Sequence, residues 1–197
     1  NYFHNLVINR SSLYSAFMNG EPVTINNDFT VNKGRLNTSS SLVTVSGNVA
    51  INSGGHLSVD AGGGLALAAS KSVNVNNGGL IEFNGTSGMQ SKITRKSSGY
   101  YALNIESGGK IGAVHTIFEY MNTNGVNLKS GAIVDPSNAF TSCIFRNGQS
   151  GGRLLTINNS QTFALNNAMF LNNSWGSNFN VYKSVNSGVV TFGGHSG

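Results

Sequence analysis

The sequence predicts an all-β chain wound as a right-handed parallel β-helix, a solenoid of about eight coils. Three observations carry the prediction. Short runs alternate apolar and polar residues, as in Val73-Asn74-Val75 and Leu80-Ile81-Glu82-Phe83. Polar turns rich in Asn and Gly join these runs, as in Asn76-Asn77-Gly78-Gly79. The same figure returns along the chain, with the apolar residue after each turn at Leu13, Leu36, Leu57, Leu80, Ile111, Ile133, Phe163 and Val190, steps of 23, 21, 23, 31, 22, 30 and 27 residues. No window keeps a clean helical period free of glycine.

The step length sets the architecture. Three strands of three or four residues and three turns use a little over 20 residues. Val23-Thr24-Ile25, Phe29-Thr30-Val31 and Leu36 show the three strands of one coil. Val43-Thr44-Val45, Val49-Ala50-Ile51 and Leu57-Ser58-Val59 repeat them. Strands this short are not stable alone. Stacked at about 4.8 Å per coil, they pair above and below and share one apolar core about 40 Å long.

Asn52, Gly54, Gly55, Asn76, Gly78, Gly79, Gly108 and Gly109 are the corner residues of this scheme. A strand bending sharply into the next needs positive φ, which Gly and Asn accept. A second repeat runs through Ile117-Phe118-Glu119-Tyr120, Ile144-Phe145-Arg146-Asn147 and Met169-Phe170-Leu171-Asn172, with phenylalanines 27 and 25 apart. Residues 1–86 therefore read as regular short coils. Residues 87–197 read as coils with longer excursions, all in one β-helical segment of a longer repetitive protein. Uneven coil length and the general preference for right-handed crossovers select the right-handed form.

These lines resemble repeats of right-handed parallel β-helix proteins, the pectate-lyase-like superfamily. Asn147 and Asn172, each two residues after a phenylalanine, resemble the turn asparagines that stack as a ladder there; Tyr120 departs from it. The stretches Asn5-Leu6-Val7-Ile8-Asn9 and Thr24 to Gly34 are similar to segments of large secreted surface proteins of Bacteroidetes-like bacteria. The resemblance implies an extracellular or cell-surface setting. Enzymes of the superfamily act on acidic polysaccharides with clustered aspartates, some of which hold calcium.

Charge is sparse. Charged residues make up 10% of the chain and the net charge is +5, which arises from few acids. The bases are scattered, so a solvated surface, not nucleic-acid binding, is expected. No apolar run approaches the ~18 residues of a membrane-spanning helix. The single cysteine, Cys143, lies in an apolar alternation and reads as a buried side chain.

The repeat also places charges. Glu106 and Lys129 hold the same place on successive copies, and Glu119 and Arg146 both follow the marker phenylalanine. Stacking pairs each acid with a base, a structural role for carboxylates that catalysis would otherwise claim. Asp28, Asp60 and Asp135 read as turn residues. The histidines fall at different repeat places, so no metal site, cofactor or catalytic set is expected.

One excursion is a candidate glycan-binding site: Lys92, Arg95, Lys96, Tyr100 and Tyr101 put three bases beside two aromatics. Its alternative is a solvated loop entering a strand whose tyrosines alternate in and out. Trp175, alone in a polar loop, is a second candidate. The function expected is a non-catalytic structural or adhesive segment of a surface protein. Expected partners are a polysaccharide or cell-surface glycan, and further copies stacked end to end through uncapped coils. The alternative is a carbohydrate-active domain, a polysaccharide lyase or hydrolase, or a glycan-binding module.

Overall fold

A computed structural model shows an all-β chain in which parallel strands stack as a solenoid of about eight turns. It describes residues 1–11, 15–171 and 179–196. The first turn holds β1 (Tyr2–Phe3), β2 (Leu6–Asn9) and β3 (Ser15–Phe17), and the second β4 (Val23–Ile25) and β5 (Phe29–Asn37). The third is β6 (Leu42–Val45), β7 (Val49–Ile51) and β8 (Gly55–Asp60), and the fourth β9 (Gly64–Leu67), β10 (Ser72–Val75) and β11 (Leu80–Asn84). Then come β12 (Ser91–Arg95), β13 (Tyr101–Ile105) and β14 (Lys110–Val114), followed by β15 (Thr116–Glu119), β16 (Met121–Leu128) and β17 (Ile133–Thr141). The last two turns are β18 (Ile144–Arg146), β19 (Leu155–Ile157) and β20 (Phe163–Asn166), then β21 (Met169–Leu171), β22 (Val181–Lys183) and β23 (Val190–Gly193).

The strands line three faces. The first face is one sheet in the order β1-β4-β6-β9-β12-β15-β18-β21. The second and third faces belong to one larger sheet, because β5 serves both: its first half pairs with β2 and β7, its second with β3 and β8. The sequence reads two strands and a corner there. The chain instead bends at Gly34, φ +81°, without losing its pairing. The third face ends in β20 and β23, which pair with each other.

Alternation puts every second residue inside. Ile25, Phe29, Val31, Val45, Val49, Ile51, Leu57 and Val59 are fully buried, as are their successors at the same register. Each fully buried large apolar side chain contributes about 1.5–3 kcal/mol relative to exposure. In the later turns the core becomes aromatic. Phe118 stacks on Phe145 with ring centroids 5.1 Å apart, and Phe145 on Phe170 at 4.9 Å. Phe83 and Phe140 meet Phe118 edge-on at 5.3 and 5.9 Å, an arrangement favoured by the ring quadrupole. Cys143 is buried and free, and burial pushes its thiol up to about 12.

The corner between the second and third faces repeats with little variation. Gly54, Gly78, Gly108 and Gly131 all have φ between +73° and +80°. Their backbones bond directly from turn to turn: Gly54 N–H donates to Gly78 O at 3.0 Å, Gly78 to Gly108 at 2.9 Å, Gly108 to Gly131 at 2.8 Å. The second glycine is there for space. A Cβ on Gly55, Gly79 or Gly109 would lie 2.2–2.4 Å from the carbonyl oxygen of Val31, Ile51 or Val75. Ala132 holds this place in the sixth turn and is 3% exposed, so the constraint loosens there.

Candidate functional site

The three faces differ in chemistry, and each is set by which residues alternate outward. Beside the glycine corner runs a column of side chains. Asn52 donates its amide to Asn32 at 2.7 Å, and Asn76 donates to Asn52 at 2.7 Å. In the next two turns the same column carries the ion pair expected from the repeat, Lys129 Nζ to Glu106 Oε1 at 2.7 Å. The outer row of the second face repeats the amide pattern: Asn104 donates to Asn74 at 2.9 Å and Asn127 to Asn104 at 3.1 Å. An amide carries both donor and acceptor, so such a column satisfies itself at any length.

The third face gathers charge. Arg35, His56 and Lys110 share one register row with Leu80, and Asn37, Ser58, Glu82 and Gly112 share the next outward row. His56 Nε2 lies 2.6 Å from Glu82 Oε2, and Lys110 Nζ lies 3.0 Å from Asp135 Oδ2. Asp60 accepts from Asn37 at 2.5 Å and from Ser58 at 2.7 Å, while Arg35 donates to Ser58 at 3.2 Å. The hydrogen bond from His56, against the opposing effect of burial, holds the Glu82 carboxyl below its ordinary range. For Asp135 burial pushes upward, but Lys110 and the Ser137 amide together outweigh it and lower the value. Asp60 and Asp135 therefore do more than shape turns: each takes part in side-chain bonding on this face.

Between Glu82 and Asp135 stands Gly112, whose missing Cβ would touch Asn138 and Asp135 at 3.3 and 3.4 Å. The space comes from an excursion in β17, where the register slips between its pairs with Ile111 and Ala113. Among the described residues no group of three or more His, Cys, Asp or Glu side chains is placed to hold a metal ion.

The residues singled out as a glycan site are divided: Lys92 and Arg95 stand on the first face, Lys96 and Tyr100 in the corner after it, and Tyr101 on the second face. Lys92 alternates outward on β12, paired with Gly64 below and Ile117 above. Arg95 is also on β12; its guanidinium lies 3.7 Å from the centroid of the Tyr120 ring, a cation–π contact. Lys96 Nζ donates to Ser46 Oγ at 2.8 Å. Tyr100 is half-buried at the following corner.

Tyr101 corrects the expectation. It is fully buried, and its hydroxyl has no partner among the described residues. Burial, aided by Glu119, raises its phenol well above the usual range. It counts inward in phase with Leu103 and Ile105, so it belongs to the core and cannot meet a sugar. Trp175 and Asn172 lie outside the described residues. Asn147 adopts φ +54°, and Tyr120, at the same repeat place, adopts +61°. The turn keeps its backbone where the residue type departs.

The second predicted ion pair also lies on the first face. Arg146 Nε donates to Glu119 Oε2 at 2.8 Å, and Thr94 donates to the other carboxylate oxygen at 2.9 Å. Lys92 occupies the margin of a hollow of about 390 Å³ lined by Leu42, Gly62, Gly63, Gly64, Gln90 and Ile117. Residue-type reasoning around Lys92 missed this hollow, although the run Gly62-Gly63-Gly64 announced a place without side chains.

No protein-family model matches the chain, and no curated protein matches it. A solved structure, the crystal structure of a TibC-catalyzed hyper-glycosylated TibA fragment, aligns with 100% of this chain and 84% of its own, at 18% identity and a TM-score of 0.18. A score at that level carries no argument about site or activity. The class is given by the strand pairing alone, that of a parallel β-solenoid.

Proposed function

We propose that this chain is a non-catalytic structural and adhesive segment of an extracellular bacterial surface protein. On this reading it extends a rod and presents long faces to a polysaccharide or cell-surface glycan. Its kinship would be with the right-handed β-helix repeats and the large secreted surface proteins named above.

The observation that carries the reading is the use made of the acids. Glu82, Glu106, Glu119 and Asp135 each lie within 3.0 Å of a basic side chain from a neighbouring turn. Carboxylates bound in this way knit turns together, and a lone general acid is not left over from them. Apolar side chains at both ends support stacking onto further coils. In the first turn Tyr2 is 82% and Phe17 67% exposed, and Phe179 is 68% exposed near the other end. Sedimentation over a wide concentration range tests end-to-end stacking; a strict monomer throughout would count against that part.

A second reading, a polysaccharide lyase or hydrolase, draws on one observation: Asp60, Glu82 and Asp135 share the third face with Arg35, His56 and Lys110. One experiment separates the two. The protein is incubated with acidic and neutral polysaccharides while reducing ends and the ultraviolet absorbance of unsaturated uronates are followed. The structural reading expects no product above a boiled control, together with retention of the protein on at least one glycan-coated surface. Product formation that Glu82→Gln abolishes would establish the enzyme instead.

A further inference from the structure

We infer that the hollow above Gly64 on the first face is a binding site for an acidic saccharide, with Lys92 receiving its carboxylate or sulfate. This rests on the adhesive reading above and gives it a place and a ligand class. Four observations lead there.

The first is shape. Successive outward places on this face are Leu42, Gly64, Lys92 and Ile117. Gly64 removes one side chain from the row, and Gly62 and Gly63 thin the adjoining corner. The result is a hollow of about 390 Å³, within the ~300–1,000 Å³ range of small-molecule sites. Nothing in the backbone asks for glycine at 64. Its φ is not in the left-handed region, and a Cβ there would meet the movable tip of Leu42 at 2.9 Å and the Lys92 carbonyl oxygen at an ordinary contact distance of 3.5 Å.

The second is the lining. Leu42, 42% exposed, and Ile117 give apolar walls, suited to the C–H face of a pyranose. Gln90 adds a donor and an acceptor at the rim.

The third is charge. Among the described residues Lys92 has no acidic partner, whereas Lys110, Lys129 and Arg146 each have one. Arg95 and Lys96 stand on or just past the same strand, and they too meet no acid: one stacks on Tyr120, the other meets a serine hydroxyl. Lys92 therefore brings an uncompensated positive charge to the wall of the hollow, and Arg95 and Lys96 add two more further along the strand.

The fourth is rigidity. The floor is hydrogen-bonded backbone: Lys92 N–H donates to Gly63 O and Gly64 N–H to Ser41 O, both at 3.0 Å. The site needs little ordering before a ligand arrives, which favours affinity.

The test is calorimetric titration at low ionic strength with a galacturonate oligomer, and in parallel with a neutral glucose oligomer of equal length and with inorganic sulfate. The acidic oligomer should bind, with the neutral one at least about tenfold weaker and sulfate unable to displace it at equal charge. Lys92→Gln and Gly64→Leu should each weaken binding about tenfold or more. Lys33→Gln, an exposed lysine at a distant corner, should leave it unchanged. Thermal melting confirms that each variant is folded; should Gly64→Leu fail that check, Leu42→Asp replaces it as the test of the wall. Absence of binding to the acidic oligomer, survival of binding in Lys92→Gln, equal loss in Lys33→Gln, or full displacement by sulfate would each overturn the site. Retention on another glycan surface with Lys92→Gln unaffected would overturn it while leaving the adhesive reading standing. Cleavage of the oligomer would overturn the adhesive reading and leave the site.

Discussion

The early and late turns solve the same stacking problem with different materials. In turns two to four the corner column is Asn32, Asn52 and Asn76, and the interior is led by Val, Ile and Leu, joined by Phe29 and Phe83. From the fifth turn onward the column passes to Glu106 and Lys129, and the interior is led by Phe118, Phe145 and Phe170. Amides can repeat without end, and the row on the second face does so across steps of 30 and 23 residues. Aromatic stacks fill the core in larger pieces and ion pairs join the turns outside it, and there the coils carry longer excursions such as the one in β17.

That contrast can be broken from its strongest point downward. Phe145→Ala removes the middle of the stack and both of its partners at once. Loss of about 3–5 kcal/mol is expected for a large buried aromatic, and urea unfolding should show it as a fall in midpoint. Asn52→Ala breaks two amide bonds in the early column. At about 0.5–1.5 kcal/mol for each, the loss should reach about 1–3 kcal/mol, read in the same way.

The third face adds a dependence on acidity. The Glu82 carboxyl is lowered in the folded chain, so its contribution is complete above the ordinary carboxylate pKa of about 4.3. It fades as the pH falls through the lower native value. Wild type should lose stability through that window more steeply than Glu82→Gln, and parallel melting curves for the two would refute the assignment. The smallest effect is expected for Lys129→Glu. The Lys129 and Glu106 side chains are 42% and 31% exposed, and pairs so placed contribute about 0–1 kcal/mol.

The sequence made same-column contacts legible. Residues at equal repeat places register directly, as Phe118 does with Phe145 and Glu119 with Arg146. It hid diagonal ones. His56 registers with Leu80, two places before Glu82, and Lys110 with Ile133, two before Asp135. Side chains two places apart on neighbouring strands lie within reach of each other when long, and a repeat alignment that compares only equal places passes over them. Tyr101 was legible too: the alternative reading, a strand whose tyrosines alternate in and out, is the one its burial bears out, in phase with Leu103 and Ile105. The aromatic pair Tyr100-Tyr101 drew attention as a chemical type when its phase already assigned one ring to each side.

The glycine corner has a mechanical consequence. Gly54, Gly78, Gly108 and Gly131 are strung together by peptide groups that point the same way, at one edge of the rod. An added residue there would strain the one bond made to each neighbouring turn, whereas the other two edges already absorb loops of different lengths. Across turns three to six the rod thus has one seam of fixed gauge and two margins that can widen. Inserted segments, natural or grafted, will project from those margins, and the seam will keep the rise of each turn unchanged beneath them.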